Sequence, residues 1–328
     1  MKFGVIGSGS WGTALVKILT DNGHHVIWCV RSEKIAHHIQ SRHHNPKYLS
    51  SVYFSNDQLT LTTSSADVFQ QTDNILFAVP SAYVLDYINP NISLLHEKHT
   101  IISAVKGILP ESNLLFNQWL KLKGLKEAQF VAIMGPCHAE EVAAEKLSYL
   151  TFAGIDPAKR NEIAGAFKTP FINTILSDDV DGVQYAAVLK NVYALGTGIA
   201  NGLGYGDNFQ SVFIANAAGE MKHFLQSVAR QQNINYAASV YLGDLLVTCY
   251  SLFSRNRAFG NMIGKGYSVE AAKISMQMVA EGYPASKAMI EINLSVEAKM
   301  PIANTIFEIL WKGLDPAHAF EALEQQLF

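Results

Sequence analysis

Short apolar runs with no polar alternation recur through the first half of the chain: KFGVIG (2–7), HVIWCVR (25–31), NILFAVP (74–80), TIISAVKG (100–107), QFVAIMG (129–135) and LSYLTFAG (147–154). They are rich in Val, Ile and aromatics, the pattern of strands buried on both faces of a parallel sheet. The stretches between them have crossover length. This predicts an α/β unit with a Rossmann-like, doubly wound, mostly parallel sheet. Past Ser177-Asp178-Asp179 the period changes. GVQYAAVLKNVYALGTGIANGL (182–203), FQSVFIANAAGEMKHFLQSVARQQ (209–232) and PASKAMIEINLSVEAKM (284–300) place apolar residues at helical spacing, with GYGDN, GKGYS and EGYPAS as breaks. The expected organisation is an α/β domain over residues 1–179 and an all-α domain over 180–328.

Composition narrows the function. A chain of 328 residues, 49% apolar and 16% charged, can bury two cores, and a net charge of −3 argues against nucleic-acid binding by a broad basic surface. No apolar run reaches membrane-spanning length, so no membrane insertion is expected. The start, Met1-Lys2-Phe3, lacks a signal-peptide pattern. Cys29, Cys137 and Cys249 lie far apart without CxxC spacing, which predicts neither disulfides nor zinc. The expectation is a reduced, cytoplasmic protein. The pairs His37-His38 and His43-His44 have no carboxylate or cysteine at ligand spacing, and no metal is expected.

The glycines Gly7, Gly9 and Gly12 follow one predicted strand and open a predicted helix over Trp11–Thr20. That context suits a pyrophosphate: the helix start offers N–H groups, and Gly9 has no side chain to block the approach. A tight corner without ligand is the alternative. About twenty residues on, where an NAD reader places an acid, stands Arg31, which suits the 2′-phosphate of NADP. Glu33 nearby keeps NADH possible. NADPH is the favoured cofactor.

With GSGSWGTAL, RHHNPKYL, VPSAYV, VKGI, GPCHAEEV, LKNVYALGTGIANGLGYGDN, LGDLLVTC and SRNRAFG in this order, the chain resembles bacterial NAD(P)-dependent glycerol-3-phosphate dehydrogenases along essentially its whole length. The resemblance implies NAD(P)H-dependent reduction of dihydroxyacetone phosphate to sn-glycerol 3-phosphate for glycerophospholipid synthesis. It also implies a homodimer acting on a small phosphorylated substrate. Lys190, in an apolar helical run, shares a helix face with Ala194, Thr197 and Asn201. The pattern alone leaves open a snorkelling lysine or an acid/base lysine tuned by burial. The resemblance makes it the catalytic proton donor and acceptor.

By the same resemblance Lys106, Gly135, Cys137, Lys190, Asp244, Ser254, Arg255 and Asn256 bind substrate. Gly7, Gly9, Ser10, Trp11, Gly12, Arg31, Tyr48, Lys106, Ala139, Arg255 and Glu281 bind cofactor. Ser254 also reads as a helix cap that puts Arg255 and Arg257 in a first turn, a position unfavourable for positive charge unless an anion binds there. The resemblance places Asp244 beside the catalytic lysine, where it would bond a substrate hydroxyl or orient Lys190; from the residues alone it reads as a cap for the run that follows it. The chain departs from the family at Cys137-His138, where Ser-Phe is usual, at Gln184 for Glu, and at Asn216 for Arg. SVYLGDL also lacks a family glycine. Neighbouring residues rarely point at one another, so Cys137-His138 is not expected to form a nucleophile pair. The competing readings are another Rossmann-plus-helical dehydrogenase, such as a β-hydroxyacid dehydrogenase, and a catalytically silent dinucleotide sensor.

Overall fold

A computed structural model describes residues 1–229, 234–276 and 280–328, so the end of the run expected to be helical up to Gln232 lies outside the described residues. The chain forms two compact units. The first comprises Met1–Val105 and Phe116–Val180, the second Lys106–Leu115 and Asp181–Phe328. The segment Lys106–Leu115 thus belongs with the helical unit, although its sequence position puts it among the strands.

The first unit is built on eight strands: β1 (Lys2–Ile6), β2 (His25–Cys29), β3 (Leu59–Thr62), β4 (Asn74–Phe77), β5 (Thr100–Ser103), β6 (Phe130–Met134), β7 (Ser148–Ala153) and β8 (Ile172–Ser177). Their order is β3-β2-β1-β4-β5-β6-β7-β8. Neighbours run parallel except β6 and β7, which are antiparallel. The winding reverses between β1 and β4, so the loop after β1 opens at the switch point where sheets of this kind bind ligands. The helices are α1 (Ser10–Asp21), α2 (Glu33–Arg42), α3 (Ser65–Gln71), α4 (Val84–Ile88), α5 (Phe116–Leu122), α6 (Ala139–Ala143) and α7 (Pro157–Ala166). Phe3, Val5, Leu15, Ile18, Trp28, Leu76, Ile102, Ile133 and Phe152 are fully buried or nearly so in one shared core. The runs that mark β1, β2, β4, β5 and β6 are continuous because both faces are covered. β3 (LTLT) and β8 (INTILS) alternate with exposed positions, so they escape a search for apolar runs.

The second unit contains α8 (Val180–Gly202), α9 (Asp207–Val228), α10 (Asp244–Tyr250), α11 (Arg255–Gly264), α12 (Val269–Ser275), α13 (Gly282–Val296), α14 (Pro301–Lys312) and α15 (Pro316–Glu324). Helix α8 is buried on nearly every side, which explains its lack of a polar face. It meets α11 backbone to backbone. A Cβ on Gly198 or Gly202 would land on the carbonyl oxygens of Arg257 or Asn261, and one on Gly260 or Gly264 on those of Leu195 or Ile199. Among the described residues no helix is long and apolar enough to cross a membrane.

Helix α14 starts at Pro301, which has no N–H, and its next two N–H groups are capped from a distance. Glu220 in α9 accepts from Ile302 N (2.7 Å) and Ala303 N (3.0 Å), and from the Tyr193 hydroxyl of α8 at 3.2 Å. Burial pushes its carboxyl up to about 7 from 4.5, against the pull of these donors. A folded carboxyl that holds its proton more tightly than the unfolded one stabilises the fold most at low pH. That contribution is complete below about pH 4.5 and is lost as pH rises through about 7. Relative to Glu220→Gln, which does not titrate, the wild type is expected to lose roughly 2 kcal/mol of stability between mildly acidic and mildly basic pH. Urea unfolding of both proteins across that range checks this; a constant difference would refute it.

Candidate active site

In the first unit the three glycines after β1 serve three different purposes. Gly7 has φ +120 and a Cβ there would strike the Ala78 carbonyl, so the turn itself demands glycine. A Cβ on Gly12 would strike the carbonyl of Gly7, so close packing demands the third. A Cβ on Gly9 would meet nothing within 4 Å. The chain has no need of glycine there, whereas a ligand lying against the backbone does. Gly9 is also the N-cap of α1, and no side chain caps that helix end. A pyrophosphate fits this opening, where N–H groups and the positive end of the helix converge. Ser10 and Trp11 begin the helix beside it. Arg31 follows β2 and is exposed, while Glu33 two residues later accepts from Thr63 Oγ1 at 2.5 Å. Tyr48 is half-buried in the loop after α2.

A second glycine turn precedes α6. Gly135 has φ +126, and Ala139 is the first residue of the helix. The Cys137 thiol donates to the Tyr149 carbonyl at 3.2 Å and is 9% exposed. It faces into the core.

In the second unit the polar groups gather on α8. Lys190 is 5% exposed and Asp244 1%. The lysine Nζ donates to Asp244 Oδ1 from the helix opposite. Asp244 is the first residue of α10, where a carboxylate is favoured by the helix dipole. Its Oδ2 is buried with no hydrogen-bond partner. Cys249, whose thiol burial pushes up to about 12, is an inert neighbour.

One residue on, Asn191 joins three segments. Its Nδ2 donates to the Lys106 carbonyl (3.3 Å) and its Oδ1 accepts from Asn256 Nδ2 (2.9 Å). Asn256 Oδ1 accepts in turn from Gly282 N at 2.9 Å, next to Glu281. Gly282 must be glycine, because a Cβ would strike the Asn191 carbonyl. Asn191, Leu195, Gly198 and Gly202 fall on one face of α8, so the glycine seam sets where α11 begins. Ser254 caps that helix, its Oγ accepting from Arg257 N at 3.3 Å, and the first turn carries Arg255 and no acid. The guanidinium fork of an arginine at a helix start matches the oxygens of a phosphate.

The structure therefore brings together Lys106, Lys190, Asp244, Ser254, Arg255, Asn256 and Glu281 in the second unit. Gly7, Gly9, Ser10, Trp11, Gly12, Arg31, Tyr48, Gly135, Cys137 and Ala139 belong to the first. Asn191 and Asn45 went unnoticed in the sequence, since an asparagine in an apolar helix or beside a proline carries no signal of its partners. Gln184 is buried in α8. Asn216 is half-buried and donates to the backbone oxygens of Val212 (2.9 Å) and Phe328 (2.8 Å). Asp73, His96 and His99 bring ligand atoms within 4.8 Å of one another. Both His99 ring nitrogens, however, are engaged by backbone, at His96 N and the Phe69 carbonyl.

Comparison with known proteins agrees with both halves. The family model for the NAD-dependent glycerol-3-phosphate dehydrogenase N-terminus matches residues 2–159, and the one for the C-terminus matches 179–321. A glycerol-3-phosphate dehydrogenase (NAD(P)+) of Halalkalibacterium halodurans is 34% identical over 321 residues, 97% of this chain and 92% of that protein. One from Bacillus subtilis is 32% identical, covering 98% and 93%. The crystal structure of a glycerol-3-phosphate dehydrogenase from Coxiella burnetii superposes with a TM-score of 0.91 at 26% identity, covering 98% of each chain.

Removing one member of a buried ion pair strands the other. Asp244→Ala is expected to destabilise the second unit by about 3–5 kcal/mol, and Lys190→Met with Asp244→Leu to restore most of that loss. Denaturant unfolding of the three proteins checks this. A double variant as unstable as Asp244→Ala would refute this.

Proposed function

The chain belongs to the NAD-dependent glycerol-3-phosphate dehydrogenase family, and from that premise we propose that it reduces dihydroxyacetone phosphate reversibly to sn-glycerol 3-phosphate. The observation that carries the reading is the buried Lys190–Asp244 pair beside a helix start that carries Ser254, Arg255 and Asn256. In this reading Arg255, Ser254 and Lys106 hold the substrate phosphate, with Asn256 keeping the first turn of α11 in place. Asp244 Oδ2 accepts from a substrate hydroxyl and so fixes the ketone. Lys190 gives its proton to the carbonyl oxygen as that oxygen becomes an alkoxide, and the amine left behind is reprotonated from water. In the oxidative direction the neutral amine takes the hydroxyl proton. The nicotinamide, when bound, supplies or accepts the hydride.

The cofactor is a nicotinamide dinucleotide. We assign NADPH as the preferred form, on the strength of Arg31 after β2, and NADH as usable. Gly7, Gly9, Ser10, Trp11 and Gly12 would hold the pyrophosphate end, with Tyr48, Ala139, Glu281, Lys106 and Arg255 as further contacts, and Gly135 and Cys137 would contribute backbone. The product would feed glycerophospholipid synthesis. We place the enzyme in the cytoplasm as a homodimer. A silent sensor would have no use for a buried lysine–aspartate pair.

Oxidation of NADPH is expected with dihydroxyacetone phosphate and not with dihydroxyacetone. Lys190→Ala should lose turnover by at least about 10²–10⁴-fold, the usual worth of a general acid, while dinucleotide affinity stays near the wild-type value. Turnover close to wild type would remove Lys190 from this role. Arg31→Asp is expected to shift preference toward NADH in steady-state kinetics. An unchanged ratio would place recognition of the 2′-phosphate elsewhere.

A further inference from the structure

Asn45, in the loop after α2, is 1% exposed and every hydrogen-bonding position of its amide plane is used. Nδ2 donates to the Ser8 carbonyl (3.1 Å) and to Thr13 Oγ1 (2.9 Å). Oδ1 accepts from the N–H groups of Lys47 (3.0 Å) and Tyr48 (3.2 Å). Exchanging oxygen and nitrogen would set carbonyl against carbonyl and N–H against N–H, so the amide has one workable orientation. Thr13 Oγ1 passes the arrangement on by donating to the Gly9 carbonyl at 2.8 Å. From β2, Trp28 Nε1 donates to the Gly7 carbonyl at 2.9 Å. The carbonyls of Gly7, Ser8 and Gly9 are therefore all held by side chains rooted in other segments of the first unit.

In a trans peptide the carbonyl and the following N–H point in opposite directions, and there are no cis peptide bonds among the described residues. Anchoring the carbonyls of Gly7 and Ser8 sends the N–H groups of Ser8 and Gly9 the other way. Glycine-flanked peptides rotate easily. A rotated one would aim an oxygen, rather than an N–H, at a bound anion.

We infer that Asn45 is a positioning residue for the dinucleotide. It holds the Ser8–Gly9 peptide with its N–H toward the pyrophosphate, and through Oδ1 it ties the Lys47–Tyr48 segment to the same turn. This rests on the reading of the glycine turn as the dinucleotide site.

The test is titration of the full-length wild type, Asn45→Ala and Asn45→Asp with NADPH and NADH by calorimetry, with melting temperatures recorded with and without dinucleotide. Asn45→Ala is expected to weaken binding on the order of 10–100-fold, from the loss of one or two hydrogen bonds that set the donor geometry. Asn45→Asp keeps the acceptor for Lys47 and Tyr48, replaces the donor with an acceptor against Ser8, and should bind at least as poorly. In kinetics the KM for the dinucleotide should rise with Kd, while the KM for the ketone at saturating dinucleotide moves much less. A folded variant that binds as tightly as wild type overturns the inference, even if it melts earlier, because that is the signature of a purely structural residue. If Asn45→Ala does not fold, Asn45→Asp decides. Failure of the wild type to bind either dinucleotide would refute the site reading itself and the inference with it.

Discussion

Burying an ammonium group in a helix bundle costs several kilocalories per mole unless a counter-charge is buried with it and both are hydrogen-bonded. Lys190 imposes that condition on the second unit. Its partner has to come from another helix, because its neighbours on α8 are apolar or small. Asp244 meets the requirement from the first turn of α10, where the helix end itself favours a carboxylate. The pair then fixes α10 against α8. The glycine seam fixes α11 against the same helix, with carbonyls where side chains would otherwise stand. Two rigid couplings to one helix leave the start of α11, with Ser254, Arg255 and Asn256, little freedom to move relative to Lys190. Preorganisation of this sort lets a proton donor and an anion clamp work without reorganising during the reaction.

The first unit solves a different problem with the same economy. A peptide turn that binds an anion must show donors and hide acceptors, yet each peptide carries one of each. Glycine makes the close approach possible and also removes the side chains that would fix the peptide planes. The planes are fixed instead by Trp28, Asn45 and Thr13. Trp28 is fully buried in the sheet core and packs edge-on against Phe54 at 5.3 Å between ring centroids. The orientation of one turn carbonyl is thereby tied to the packing of the whole layer.

The sheet strands with both faces covered were legible as apolar runs, and the change to helical period near Val180 was legible too. β3 and β8 were not, because partial exposure breaks the run and four to six residues carry too little periodicity to replace it. The grouping of Lys106–Leu115 with the helical unit was also hidden. It depends on Asn191 bonding the Lys106 carbonyl and Asn113 bonding Glu291 Oε2 at 2.7 Å, contacts made across long stretches of chain. The Ser254 cap was readable, since capping is local. Lys190 stood out because an ammonium in an apolar helix conflicts with its surroundings. The residue that resolves the conflict lies 54 positions away in the chain; the sequence left Asp244 open between orienting Lys190, bonding substrate and capping, and the fold pairs it with Lys190.

Asparagines such as Asn45, Asn191 and Asn256 are buried and engaged on both sides of the amide, which is how most buried polar groups are found. Asp244 departs from this. Among the described side-chain atoms buried without a partner, its Oδ2 is the sole carboxylate oxygen, and an ionised oxygen is the costliest kind to leave so. Stability alone would have given that oxygen a donor, or replaced the ion pair with apolar residues. It stands next to the one lysine in the long apolar helix α8, and the proposed function gives both a use. In that reading the free acceptor is held back for a hydroxyl that arrives with the substrate, and the amine holds its proton until the ketone oxygen can take it.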